Sequence, residues 1–159
     1  MILDLSHMAP IAYMEAVELY TGPVIASHSN PHAFLPTDRG LSDEMIQKLV
    51  ARDGVMGVVL WNHYLKPGWT DGDPRREVNL ETVAQVIDHV SQLAGDARHV
   101  AIGSDFDGGF GLDAIPDGMD SVADLVKLVE ILLQRGYSRE DIEGIMCGNW
   151  LRILHRSLA

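Results

Sequence analysis

PVIASHSN at 23–30 and VMGVVL at 55–60, with SDEMIQKLVAR at 42–52 between them, decide how this chain folds. The two outer stretches are short, apolar and rich in β-branched residues, as strands buried on both faces are. The middle stretch carries a serine cap, two acids in its first turn and apolar residues at helical spacing. Two buried strands joined through a helix are the unit of a parallel sheet.

The same alternation runs outward in both directions. Ile2–Leu5 reads as a buried strand, and Ala9–Tyr20 as a helix with Pro10 in its first turn, where a missing N–H costs nothing. Beyond Leu60, residues Trp61–Val78 read as a long loop rich in Gly, Pro and Asp. Leu80–Leu93 reads as a helix and His99–Ser104 as a fourth strand. A glycine-rich loop spans Asp105–Gly118; helices are predicted over Val122–Arg135, from the Ser138 cap to Met146, and over Asn149–Ser157. The reading is four βα units plus a C-terminal helical tail in one α/β domain, residues 1–159. Four such units are half of an eight-unit barrel or a small open sheet, and periodicity does not choose between them.

Of the 159 residues, 23 are acidic and 12 basic, for a net charge of -11, which argues against a nucleic-acid partner because phosphate binding needs a basic face. The single cysteine, Cys147, excludes an intramolecular disulfide and a cysteine-based zinc site, and it points to a reducing, cytoplasmic setting. Cys147 reads as a small buried apolar residue, and Met45, Met56 and Met146 as core filler. The stretch MILDLSHMAP has neither the basic region nor the apolar run of a signal peptide or membrane anchor. Its strand starts at the second residue without a lead-in, which suggests sequence upstream.

Parallel α/β folds carry their chemistry at the C-terminal ends of the strands. Those ends read Asp4-Leu5-Ser6-His7, Ser27-His28-Ser29-Asn30, Trp61-Asn62-His63-Tyr64 and Asp105-Phe106-Asp107-Gly108. Two neighbouring strands that both end in Ser-His bring two imidazoles to one height about 4.8 Å apart, where they can share a metal such as zinc. The plain alternative is a pair of hydrogen-bonded loop histidines. Asp105 and Asp107 fall on opposite faces if the strand pleat persists; otherwise the segment is a turn, or less aptly a phosphate cradle. Arg39 lies in the loop after the second strand and could pair a substrate carboxylate, but from the residues alone a surface arginine bonded to Asp38 or Asp43 is the simpler reading. His63 could also reach the site.

Taken together, DLSH (4–7), PVIASHSN (23–30), Asp38-Arg39, IGSDFDGG (102–109), RGYSREDIEGIM (135–146) and GNWLRIL (148–154) resemble the membrane (renal) dipeptidase family of zinc peptidases, in the family's order. The resemblance implies the C-terminal half of a TIM-like (β/α)8 barrel, a binuclear zinc site and hydrolysis of dipeptides. It implies that His7 and His28 bind one zinc, that Arg39 holds the substrate carboxylate, and that Asp105 carries a proton near the bridging water. It further implies a His-x-Asp pair, a bridging glutamate and a carbonyl-contacting histidine ahead of the DLSH motif. No histidine here is followed two places later by Asp or His. The expectation is therefore at most one zinc, little or no activity for this chain alone, and a homodimer or a complementary N-terminal half chain as partner. The rival reading is a non-catalytic α/β module that binds a metal or a partner; a third is another amidohydrolase-like activity.

Overall fold

The computed structural model describes residues 1–158. Strands β1 (Leu3–Asp4), β2 (Val24–Ala26), β3 (Val55–Val58) and β4 (Val100–Ile102) form one sheet in the order β1-β2-β3-β4. Every pairing is parallel, with Leu3 opposite Val24, Ile25 opposite Val55, and Met56 opposite Val100. Between the strands run α1 (Pro10–Leu19), α2 (Asp43–Ala51), α3 (Asn62–Leu65) and α4 (Leu80–Ala94); α5 (Val126–Gln134), α6 (Arg139–Glu143) and α7 (Asn149–Leu158) follow β4. The expected βα succession is therefore the observed one.

Local chemistry sets the helix ends. Ser42 accepts a hydrogen bond from Met45 N–H at the start of α2, and Ser138 accepts one from Asp141 N–H at the start of α6. Asn79 and Thr82 cap each other across the first turn of α4, which stops at Gly95 with φ 81°.

The two faces of the sheet are covered differently. On one, Leu5, Val24, Ala26, Met56, Val58 and Val100 pack with Tyr13 and Val17 of α1, Ile46 and Leu49 of α2, Ile87 and Val90 of α4, and Leu128 and Leu132 of α5. Each of these larger apolar side chains contributes about 1.5–3 kcal/mol by leaving water. On the other face, Ile2, Ile25, Val55 and Ala101 form a smaller cluster with Trp150 and Ile153 of α7. Asn149 fixes α7 there by donating to Ala97 O and Val100 O, both at 2.8 Å, and Trp150 Nε1 donates to Ile102 O at 2.9 Å. The GNWLRIL segment thus pins α7 beneath β4. The RGYSRED segment ties α5 to α4, through Arg135 to Asp88 and Glu81 and through Tyr137 Oη to Asp88 at 2.9 Å.

Beyond Ala26 the chain of β2 crosses over the second face. A Cβ on Gly57 or on Gly103 would stand 2.0 Å from the Ser27 carbonyl oxygen, so only glycine fits at either place. Ser29 N–H then donates to Gly57 O at 2.8 Å. Buried Asn30 extends this join: its amide donates to Val59 O and Tyr64 O, and its Oδ1 accepts from Val59 N–H.

Several sequence readings need correction. Of Ile2–Leu5 only Leu5 is buried, because β1 is an edge strand whose second face has little cover. The supposed loop at Trp61–Val78 contains α3 and a 3-10 turn at Arg75–Glu77, held from outside its own sequence by Asn30 and by Arg75 donating to Ile115 O and Met119 O. A 3-10 turn also interrupts the glycine-rich loop at Leu112–Ala114, and the helix read over Val122–Arg135 opens as a 3-10 turn at Val122–Leu125. A π-helical turn at Gly144–Gly148 links α6 directly to α7 and turns Cys147 outward, so the cysteine is exposed and not buried. Met45 and Met56 are core residues as read, while Met146 is only partly buried.

Candidate metal centre

His7 follows β1 in a tight turn closed by Met8 N–H to Leu5 O at 3.2 Å. Its φ of 66° lies in the left-handed region, which costs a non-glycine residue about 1 kcal/mol and is found mainly where a site demands it. His28 stands one strand away. The two Nε2 atoms face each other at 2.8 Å, with ring centroids 4.8 Å apart. Burial is the first cause that lowers the pKa of His7, followed by the charges of Arg39 and His28; Asp105 and Asp4 oppose it. Lowering favours the neutral imidazole, the form that binds metals.

Arg39 lies at this edge and pairs with neither Asp38 nor Asp43. Its Nη2 donates to His7 Nε2 and to His28 O, both at 3.2 Å, and its guanidinium stands 5.5 Å from the centre of the Tyr64 ring. Arg39 Nε is buried without a partner. Asp43, for its part, meets His89 at 2.9 Å. Asn30 holds Tyr64 by its carbonyl, so the buried amide after β2 indirectly supports the arginine.

Asp105 leaves β4 with φ 56° and closes a turn through Gly108 N–H to its own carbonyl at 2.8 Å. A Cβ on Gly108 would come within 2.8 Å of Asp105 Oδ1, which accounts for the glycine after Asp107. Because β4 ends at Ile102, the strand pleat does not reach Asp105 and Asp107; Asp105 is half-buried and Asp107 exposed. His63 is not part of the cluster. Its Nε2 pairs with Asp71 at 2.8 Å, between the rings of Trp61 and Trp69.

Three polar residues of the strand-end motifs, to which the sequence reading gave no role, bind together at the site. Asp4 Oδ1 accepts from Ser6 N–H and Ser27 N–H, each at 3.0 Å, and Asp4 Oδ2 accepts from Ser27 Oγ. Ser27 Oγ also meets His28 Nδ1 at 2.7 Å, and Ser6 Oγ accepts from His28 N–H at 3.1 Å. Burial works against ionised Asp4, but the hydrogen bonds from Ser27 and Ser6 outweigh it and lower its pKa. The sequence signal for these groups was the doubled Ser-His.

The donor set suits a zinc ion in part. Two imidazole nitrogens on a tetrahedral zinc lie ~3.3 Å apart, so the observed pair at 2.8 Å need open only slightly. Among the described residues, no group of three or more His, Cys, Asp or Glu is placed to hold a metal.

Comparison with known proteins shows the family. The model of the membrane dipeptidase family (peptidase family M19) matches residues 1–158. The chain belongs to the membrane dipeptidase family. Over 154 residues it is 35% identical to an uncharacterised protein of Klebsiella pneumoniae, and 35% identical to the dipeptidase AclJ of Aspergillus oryzae. These alignments take in 97% of the chain but only 54% and 34% of those proteins, so the chain spans at most about half the length of either. Among solved structures, a metallopeptidase of Rhodobacter sphaeroides bound to a phosphinate mimic of L-Ala-D-Ala superposes with a TM-score of 0.83 at 29% identity, covering 98% of this chain and 42% of that one. A probable dipeptidase, PvdM, of Pseudomonas aeruginosa gives 0.86 at 25% identity, covering 98% and 50%. The fold is thus that of part of a dipeptidase barrel.

Proposed function

We propose that this chain supplies one half of a metal-dependent dipeptidase site. The observation that carries the proposal is the convergence of His7 Nε2, His28 Nε2 and the Arg39 guanidinium at one sheet edge. His7 and His28 would hold one zinc ion, the family's metal. When bound, zinc supplies an acidified water and polarises a carbonyl. Arg39, with its unpartnered Nε and two forked donors, pairs the free carboxylate of a dipeptide and so excludes long peptides. Asp105, coupled electrostatically to His7, takes up and returns a proton near the leaving amine.

The two imidazoles make a half-site. We infer that the chain alone binds at most one metal ion and turns over no dipeptide, and that the remaining ligands come from a complementary chain or a second copy. β1 and β4 each pair on one side only, and such edges accept further strands. Among the described residues no helix is long and apolar enough to cross a membrane.

The test is metal content per chain after loading with zinc, together with hydrolysis of dipeptides bearing an L- or D-residue at the C-terminal position. At most one zinc, lost in the His7→Ala/His28→Ala double variant, and no turnover is the expected result. Two zinc ions with turnover by the lone chain, or zinc retained by the double variant, would overturn it.

A further inference from the structure

The hydrogen bonds around His28 have a direction. Asp4 Oδ1 is occupied by two backbone N–H donors, from Ser6 and Ser27. Asp4 Oδ2 faces Ser27 Oγ. A carboxylate only accepts, so the single hydroxyl proton of Ser27 points at Asp4. Ser27 Oγ must then accept at its other contact, from Nδ1–H of His28 at 2.7 Å. Ser6 fits the same order: its Oγ accepts from His28 N–H and lies 3.5 Å from Ser27 Oγ, toward which its own proton can turn. With the proton on Nδ1, the neutral ring of His28 carries its lone pair on Nε2; because His7 Nε2 already accepts from Arg39 Nη2, the 2.8 Å approach of the two Nε2 atoms brings two lone pairs together, as around a shared cation, and is not a hydrogen bond.

We propose that Asp4 and Ser27 are positioning residues that lock His28 in the Nδ1–H tautomer and thereby keep Nε2 free to ligate a metal. The carboxylate acts through a serine hydroxyl instead of touching the imidazole, and it sits on the strand that carries the other histidine. One carboxylate thus holds β1 to the exit of β2 and sets which nitrogen of His28 is basic. The metal consequence rests on the half-site reading above; the tautomer does not.

Asp4→Asn tests the relay. The two backbone donors require an oxygen at the Oδ1 position, so the amide nitrogen must take the Oδ2 position and donate to Ser27 Oγ. Ser27 then gives its proton to Nδ1, and the His28 proton moves to Nε2. Nitrogen-15 NMR of the histidine rings in the metal-free full chain, at about pH 8.5 and well above the ordinary histidine range, reads the tautomer directly. The expected result is Nδ1–H for His28 in the wild type and Nε2–H in Asp4→Asn, with cobalt(II) affinity at least ~10-fold weaker in the variant. Ser27→Ala, which removes the relay without reversing it, is expected to give a mixture of tautomers, and it decides the matter should Asp4→Asn not fold. A wild-type His28 protonated on Nε2, or an unchanged tautomer in the variants, would overturn the proposal. A tautomer that switches as stated in a chain that binds no cobalt(II) would sustain the relay and overturn the half-site.

Discussion

Replacing Gly57 by alanine should unfold the molecule at lower temperature and disturb the histidine pair together. The added Cβ would stand 2.0 Å from Ser27 O and 2.9 Å from Gly103 Cα, both backbone atoms that no rotamer change can clear. Ordinary contact starts at 3.4 Å, so the Ser27 carbonyl must retreat by about 1.4 Å, or β4 must give way. Overpacking a rigid core costs 1–3 kcal/mol; with backbone on both sides of the clash, about 3 kcal/mol is expected here. For a domain of this size that is a fall in Tm of about 6–12 °C. Because Ser27 precedes His28 and carries the hydroxyl bonded to it, the same displacement should weaken cobalt(II) binding. Gly103→Ala meets the same carbonyl at 2.0 Å and should behave alike. Thermal unfolding by circular dichroism and a cobalt(II) titration are the assays. A Gly57→Ala chain melting within about 2 °C of wild type would show that the segment after β2, at Ser27, does not lie over β3 and β4 as described.

Arg39→Met removes a positive charge next to His7 Nε2, and should tighten metal binding roughly tenfold while weakening capture of a dipeptide carboxylate by the metal-loaded chain; metal competition and calorimetry read the two opposite signs. Leu128→Ala empties a fully buried position and should cost about 3 kcal/mol, measured by urea unfolding. The Lys127 side chain, aided by backbone N–H donors of Asp120 and Ser121, holds the Asp124 pKa down at about 2. A carboxylate depressed in the folded state stabilises above its unfolded pKa of 3.8, and that contribution fades as pH falls from about 4 to about 2. Asp124→Asn should therefore be less stable than wild type at pH 7, and the difference should shrink toward pH 2 in urea titrations.

The order of strands and helices was legible because buried parallel strands show as unbroken apolar runs, as at Val55–Leu60, and because helix starts carry local signs, as at Ser42 and Ser138. What was not legible depended on distant partners. Helix α3 has no apolar period of its own and is held by Asn30 from another loop. Cys147 faces solvent because a π-helical turn shifts the phase of the chain, which helical spacing cannot foresee. At the site, the imidazoles announced themselves by residue type and position. Arg39 did not, since its place over His7 and Tyr64 comes from how the loop between Asn30 and Leu41 folds back, with Leu41 N–H bonded to Asn30 O and His32 N–H to Leu41 O. Asp4, Ser6 and Ser27 were in view as parts of motifs, but the direction of their protons exists only in three dimensions.

Strand β1 pairs with β2 through two residues, Leu3 and Asp4, and among the described residues no strand pairs with its far edge. Such a strand is the first to open when a protein breathes, and amides in it exchange with solvent at energies below that of global unfolding. His7 follows this two-residue edge strand, while His28 follows the interior strand beside it. A metal ion shared by the two is therefore a clasp as well as a reagent: its binding energy is spent against local opening of β1, leaving the core under α4 and α5 as it was. Loading would appear as slowed deuterium uptake confined to the first residues of the chain, and occupancy of the half-site would set how long that edge stays closed to another strand.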